Sequence, residues 1–202
     1  MEPVARTVAR TRPEEQTMSE RQVRRSNALR EAWFTAANEI LATEGYGALK
    51  LAPLCRRLGV TTGSFYHSFD NWQDFTDALL EAWLDERTQQ TVDIVNQHDD
   101  PVTRLMMLAE ASSQLLHRAE AAIRVWAGVD ERVAAFQRDV DQRRYEVAHA
   151  ALVEIVGEER APQYAAWAMS TLVGFEMLAE GQDGERLYWA LQQVLAAARA
   201  AA

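Results

Sequence analysis

Leu51–Phe69, LAPLCRRLGVTTGSFYHSF, decides the fold of this 202-residue chain. Leu51, Leu54, Cys55 and Leu58 fall at i, i+3, i+4 and i+7, one apolar stripe on a helix of about two turns. Gly59 follows at once. Glycine enters a left-handed turn without a Cβ clash, so the helix is expected to end there. Val60 fills the corner. The hydroxyl of Thr61 or Thr62 is placed to cap a second helix, and Phe65 and Phe69, four apart, hold that helix against the first. Its outer face then carries Thr62, Ser64, Tyr66 and His67, side chains suited to hydrogen bonding with phosphates and base edges. Two short helices joined this way make a helix-turn-helix, whose second helix can lie in a DNA major groove. A plain helical corner with a polar solvent face fits the same periodicity.

Working outward, a helix is expected over Ser26–Glu44, because Leu29, Ala32, Trp33, Ala36, Ala37, Ile40 and Leu41 repeat at three and four. Gly45 ends it, and Tyr46 and Leu49 close a small core. On the other side Asp70 or Asn71 can cap a helix whose buried face is Trp72, Phe75, Leu79, Ala82 and Trp83. That helix is expected to run to about Asn96 and to join the two halves of the chain. Gln97–Pro101 breaks it. The His98-Asp99-Asp100 run before Pro101 reads as a solvated turn rather than a metal ligand set.

From Leu29 to Trp83 the chain joins a helix ending EGYGAL, then LAPLCRRLGVTTGSFYHSF, then DNWQDFTDALLEAW. In that order and spacing it resembles the DNA-binding domain of the TetR family of transcriptional regulators. The family places a Gly-Val turn before a short recognition helix, then Tyr, an aromatic closing position, and a helix leading into a regulatory domain. Two positions depart from the pattern. Ser68-Phe69 stands where His-Phe is usual, with His67 one residue earlier, and Trp72 stands where a lysine is frequent. The resemblance implies a DNA-binding head over residues 26–70 and a regulatory domain over 71–202 that takes a small-molecule effector and dimerises. The expected DNA contacts are Arg25, Arg30, Lys50, Thr61, Thr62, Gly63, Ser64, Tyr66 and His67, with cations near helix starts serving phosphate.

Charge divides the same way. The net charge of −9 splits into +2 for residues 1–70 (ten basic, eight acidic) and −11 for residues 71–202 (eleven basic, twenty-two acidic). An acidic body behind a mildly basic head confines non-specific DNA attachment to one end. Residues 1–25, with arginines at 6, 10, 12, 21, 24 and 25, read as a flexible basic arm. They hold no long apolar run, so no secretory signal is expected, and the uncharged stretch Ala161–Phe175 is too short to span a bilayer. Cys55 is the single cysteine. It excludes an intrachain disulfide, sits on an apolar stripe, and suits a cytoplasmic protein.

Beyond Pro101 every periodic signal is helical, and the fold class is read as all-α: a three-helix helix-turn-helix domain followed by a C-terminal helical bundle. The last two helices are expected over about Pro162–Glu180 and Gly184–Ala200. Ala166, Ser170 and Gly174 form a small-residue stripe, and Leu187, Leu191, Val194, Leu195 and Ala198 an apolar face. Packing within the chain would use both surfaces; the resemblance implies that the helix pair meets its copy in a homodimer. Trp83, Met106, Trp126, Phe136, Trp167, Thr171 and Phe175 are the expected lining of an effector pocket. Glu176 and Glu180 share a helix face and read as a solvated edge. No Gly-rich phosphate loop, Cys pair, His-x-x-x-His or GxSxG elbow is present, so no catalytic residue, metal or cofactor is assigned. The expected function is a ligand-responsive regulator, a repressor released from a palindromic operator by an apolar or aromatic molecule. The alternative is a helical protein-interaction module that does not read DNA.

Overall fold

Residues Pro13–Glu44 contain no glycine and no proline after the first position, and they form one helix, α1, in the computed structural model. The structure describes residues 13–178 and 183–202, with side chains from residue 27 onward except those of residues 86 and 87. Helix α1 begins at Pro13 rather than at Ser26, so residues 13–25 of the expected arm are helical backbone. Proline suits a first helical position, where its missing N–H has no partner to lose. The remainder of the expected arm, residues 1–12, lies outside the described residues.

A single 3-10 turn, Tyr46–Ala48, leads into α2 (Leu51–Leu58) and α3 (Thr62–Tyr66). Between them Gly59 sits at φ 66° and ψ 31°, left-handed, and its N–H reaches the carbonyls of Cys55 and Arg56. Thr61 occupies the N-cap position of α3, but no side-chain cap bond forms there. Its hydroxyl instead lies 3.5 Å from that of Ser64. Asn71 does cap, accepting from the Asp74 N–H at 2.9 Å, and starts α4 (Trp72–Leu84). The helix expected to run unbroken to Asn96 carries a π-helical turn, Asp85–Gln89, before α5 (Gln90–Val95).

Among the described residues there follow α6 (Pro101–Ser113), α7 (His117–Ala127), α8 (Glu131–Val156), α9 (Ala161–Glu176) and α10 (Gly184–Ala200). Asp100 caps α6, accepting from the Thr103 N–H at 2.8 Å, so the His98–Asp100 run serves a helix start. Helix α8 packs on α9 and α6, and α10 on α6 and α9, while α7 lies between α1 and α8. Glycine at 184 is required by contact: a Cβ there would stand 2.2 Å from the Ser113 carbonyl oxygen. Among the described residues there is no strand, and no helix is long and apolar enough to cross a membrane.

The first core is aromatic. Phe65 is wholly buried, edge-on to Trp33 at 5.5 Å, with Phe69 at 5.3 Å, Phe75 at 5.5 Å and Trp72 at 5.9 Å. Trp72, one of the two departures from the family pattern, thus enlarges the cluster that seats α3. The same core continues through Trp83 into α7 and α8, with Ala119, Ala122, Ile123, Trp126 and Val133. Truncating Phe65 to Ala should cost about 3–5 kcal/mol, since the lost transfer free energy adds to that of the cavity left behind. Urea unfolding of Phe65→Ala beside the parent chain checks this; a loss below about 1 kcal/mol would mean the cluster closes over the gap.

Candidate functional site

Helix α3 has one buried side and one bare side. Phe65 faces the aromatic core, whereas Thr61, Thr62, Gly63, Tyr66 and His67 are exposed and Ser64 is half-buried. Tyr66 packs the edge of its ring on Phe65 yet remains 59% exposed, which holds the phenol outward at low entropic cost. Lys50, exposed and extended, occupies the N-cap of α2. Arg30 is exposed on α1, but its guanidinium lies over the rings of Phe69 at 4.9 Å and Phe34 at 5.8 Å, so its stem is already oriented by cation–π contact. The side chain of Arg25 lies outside the described residues. Arg56, absent from the expected contacts, is exposed on α2, whereas its neighbour Arg57 is drawn into pairs with Glu44 at 2.5 Å and Glu39 at 3.4 Å. A Cβ at Gly63 would meet nothing closer than Thr61 Oγ1 at 3.6 Å. The fold therefore does not demand glycine inside this helix, although glycine there costs about 1 kcal/mol relative to alanine.

A cavity of about 90 Å³ opens within the bundle, lined from α6 by Leu105, Met106, Leu108 and Ser112, from α8 by Arg144, Val147 and Leu152, and further by Thr88, Leu172 and Leu195. Of the seven side chains expected to line an effector pocket, Met106 does so. The others lie elsewhere for identifiable reasons. Trp83 and Trp126 belong to the aromatic core, Trp126 stacking on Tyr46 at 5.0 Å, and Phe136 packs against that core. Phe175 meets His117 edge-on at 4.8 Å, Trp167 is 47% exposed, and Thr171 donates to the carbonyl of Trp167 at 2.9 Å.

Beside the cavity lies a group of buried charges. Glu120 and Glu176 are both wholly buried, so Glu176 is no solvated edge; Glu180 lies outside the described residues. Arg144 grips Glu120 with two bonds, at 3.0 and 3.3 Å, and stands 3.9 Å from Glu176. Arg124 donates to Glu176 at 2.7 Å and to both oxygens of Asp141 at 2.8 and 2.9 Å. Planar guanidiniums match carboxylates two bonds at a time, which is what makes burial of these acids tolerable. Loss of water and the nearby Glu120 carboxylate push Glu176 up to about 7, against the pull of Arg124 and Arg144. Burial pushes the Cys55 thiol up, which keeps it unreactive.

On α9, Ala166, Ser170 and Gly174 are exposed, together with Trp167 and, on α10, Trp189 at 63%. The apolar face of α10 is used within the chain instead: Leu187, Val194 and Ala198 are buried there.

Known proteins share this arrangement in part or along most of the chain. A family model described as bacterial regulatory proteins, tetR family, matches residues 34–79. The HTH-type transcriptional repressor KstR2 of Mycobacterium tuberculosis (strain CDC 1551 / Oshkosh) is 27% identical over 112 residues, 55% of this chain and 56% of that protein. The chain thus matches about half the length of that curated relative. A transcriptional regulator from Rhodococcus sp. Rha1 superposes with a TM-score of 0.69 at 23% identity, covering 83% of this chain and 94% of the other. A TetR transcription regulator from Haloarcula marismortui ATCC 43049 gives 0.68 at 21%, covering 86% and 98%. The two structures establish a shared fold.

Glu176 supplies a test of the buried charges. Its carboxyl titrates near 4.5 when unfolded and about 7 when folded, so its stabilising effect is complete below about 4.5 and is lost as pH rises through about 7. Burial lowers the pKa of His117, which acts in the opposite sense. Unfolding of wild type and Glu176→Gln should therefore diverge: between pH of about 5 and 7.5 the parent should lose on the order of 1–3 kcal/mol relative to the variant. Parallel stability curves would show that Glu176 keeps an ordinary pKa.

Proposed function

We propose that the chain is a member of the tetR family of bacterial regulatory proteins, whose model matches residues 34–79, and acts as a cytoplasmic DNA-binding transcriptional repressor responsive to a small molecule. The observation that carries this reading is α3, five residues long, seated by Phe65 and presenting Thr61, Thr62, Gly63, Tyr66 and His67 to solvent. Hydroxyls donate to phosphate oxygens and donate to or accept from base edges, and the bare backbone at Gly63 permits close approach to a sugar-phosphate strand. Lys50 and Arg30 supply charge to either side. Arg56 joins them as a candidate phosphate contact.

Reading two half-sites requires two copies. The exposed Ala166, Ser170, Gly174, Trp167 and Trp189 on the last two helices form the proposed self-complementary surface, and two-fold symmetry then places one α3 on each half of an inverted repeat. The head is proposed as residues 26–70 and the regulatory part as 71–202, joined through α4 and α5. An effector in the bundle cavity that favours one arrangement of these helices shifts the separation of the two α3 helices. Misplacing one half-site forfeits its base and phosphate contacts, which releases the operator.

Tyr66→Ala should weaken binding to the chain's own upstream DNA by about tenfold or more at fixed salt, with the dimer unchanged in sedimentation. Gly63→Ala should also weaken binding, while leaving the fold as stable as before or more so. Full affinity in both variants would remove α3 from the DNA. A dimer that ignores DNA altogether would favour a protein-interaction module.

A further inference from the structure

The cavity wall carries a hydroxyl to which the fold gives no partner. Thr88 is 2% exposed, lines the cavity, and its Oγ1 makes no hydrogen bond. A buried hydroxyl without a partner has given up its hydration for nothing, and valine would fill the same volume without that penalty. Its place is equally specific. Thr88 belongs to the π-helical turn Asp85–Gln89 that joins α4 to α5.

The rest of the lining decides what could answer it. Leu105, Met106, Leu108, Val147, Leu152 and Leu172 make the body of the cavity apolar. Arg144 is the cation of the lining, but it is already engaged by Glu120 through two bonds. Around it, the two guanidiniums (Arg124, Arg144) are already held by three acids (Glu120, Glu176, Asp141), so neither is left free to receive an anion. An anionic head would place an unpaired charge at low dielectric against an arginine already occupied by Glu120. A cationic head would find no carboxylate on the wall, because none of the three acids lines the cavity.

We propose that the cavity takes a neutral amphiphile, an aliphatic or alicyclic body bearing one hydroxyl or carbonyl oxygen, with that oxygen hydrogen-bonded to Thr88 Oγ1. The proposal rests on the reading of the chain as a ligand-responsive regulator and gives that reading its effector class. At about 90 Å³ the cavity is smaller than the roughly 150 Å³ in which an engineered core holds benzene, so a larger body must displace a wall. The π turn is a wall with a second backbone register available to it, since its hydrogen bonds can revert to the α spacing. Movement there acts on α4, whose Phe75 and Leu79 share a core with Phe65.

Met106 and Met169 both line the cavity, so their methyl resonances in the intact dimer report its occupancy. Titrated with hexanol, hexanoate and hexylammonium, they should shift saturably with hexanol, about tenfold more tightly than with either charged probe. Thr88→Val should weaken hexanol by about tenfold, and Thr88→Ser should retain it; the valine variant should melt no earlier than the parent. Equal affinity in Thr88→Val, a preference for hexanoate or hexylammonium, or no saturable shift with any probe would overturn the proposal. The last is the result expected if Thr88 holds only a water. A Thr88-dependent titration that leaves operator affinity unmoved supports the site and removes the regulatory reading, so the two fail separately.

Discussion

Two carboxylates taken wholly out of water, Glu120 and Glu176, hold the second half of this protein in register. Each would be prohibitive alone in a low-dielectric interior. Arg144 and Arg124 make them tolerable, and because the four groups come from α7, α8 and α9, satisfying them fixes three helices at once. Apolar packing would tolerate small slides between these helices; bidentate pairs do not. The arrangement is thus a directional lock laid over a non-directional core.

Helix α7 is the element this lock reaches through. One side of it carries Glu120 and Arg124 into the charged group, and another carries Ala119, Ile123 and Trp126 into the core shared with α1, α2 and α3. Trp126 stacks on Tyr46 in the turn that links α1 to α2. A displacement of α7 would therefore be felt beneath the aromatic cluster that seats α3. The helix line from α4 to α5 offers a second route, with the π turn at its centre and the cavity against that turn.

The head is built on the opposite principle. Its core is small and aromatic, and its outward groups are polar and loosely held: the hydroxyl of Thr61, in the cap position, makes no cap bond. Strong internal hydrogen bonds would have consumed the donors and acceptors that the proposed DNA contact needs. The acidic balance of the rest of the chain adds to this division, since negative charge behind the head disfavours any DNA contact except through it.

Residues near one another in sequence were legible without coordinates. The stripe Leu51, Leu54, Cys55, Leu58, the left-handed Gly59, a cap at Asp70 or Asn71 and the α10 span each follow from local periodicity and turn chemistry, which act over a few residues; the structure gives the cap to Asn71. The start of α1 differs from the local signal because mixed charge over residues 14–25 suggests an arm, although they contain no glycine or proline to break a helix. What the tertiary structure alone decided concerns facing: which aromatics fill the core rather than the cavity, and that Glu176 is buried rather than solvated. A helix in a bundle has several buried sides, and its own sequence does not say which neighbour meets each. Burial of Glu176 depends on Arg124, distant in sequence and brought within 2.7 Å only by the packing of α7 on α9. The unpartnered hydroxyl of Thr88 is legible only there too, because a missing partner becomes visible when every neighbour has been placed.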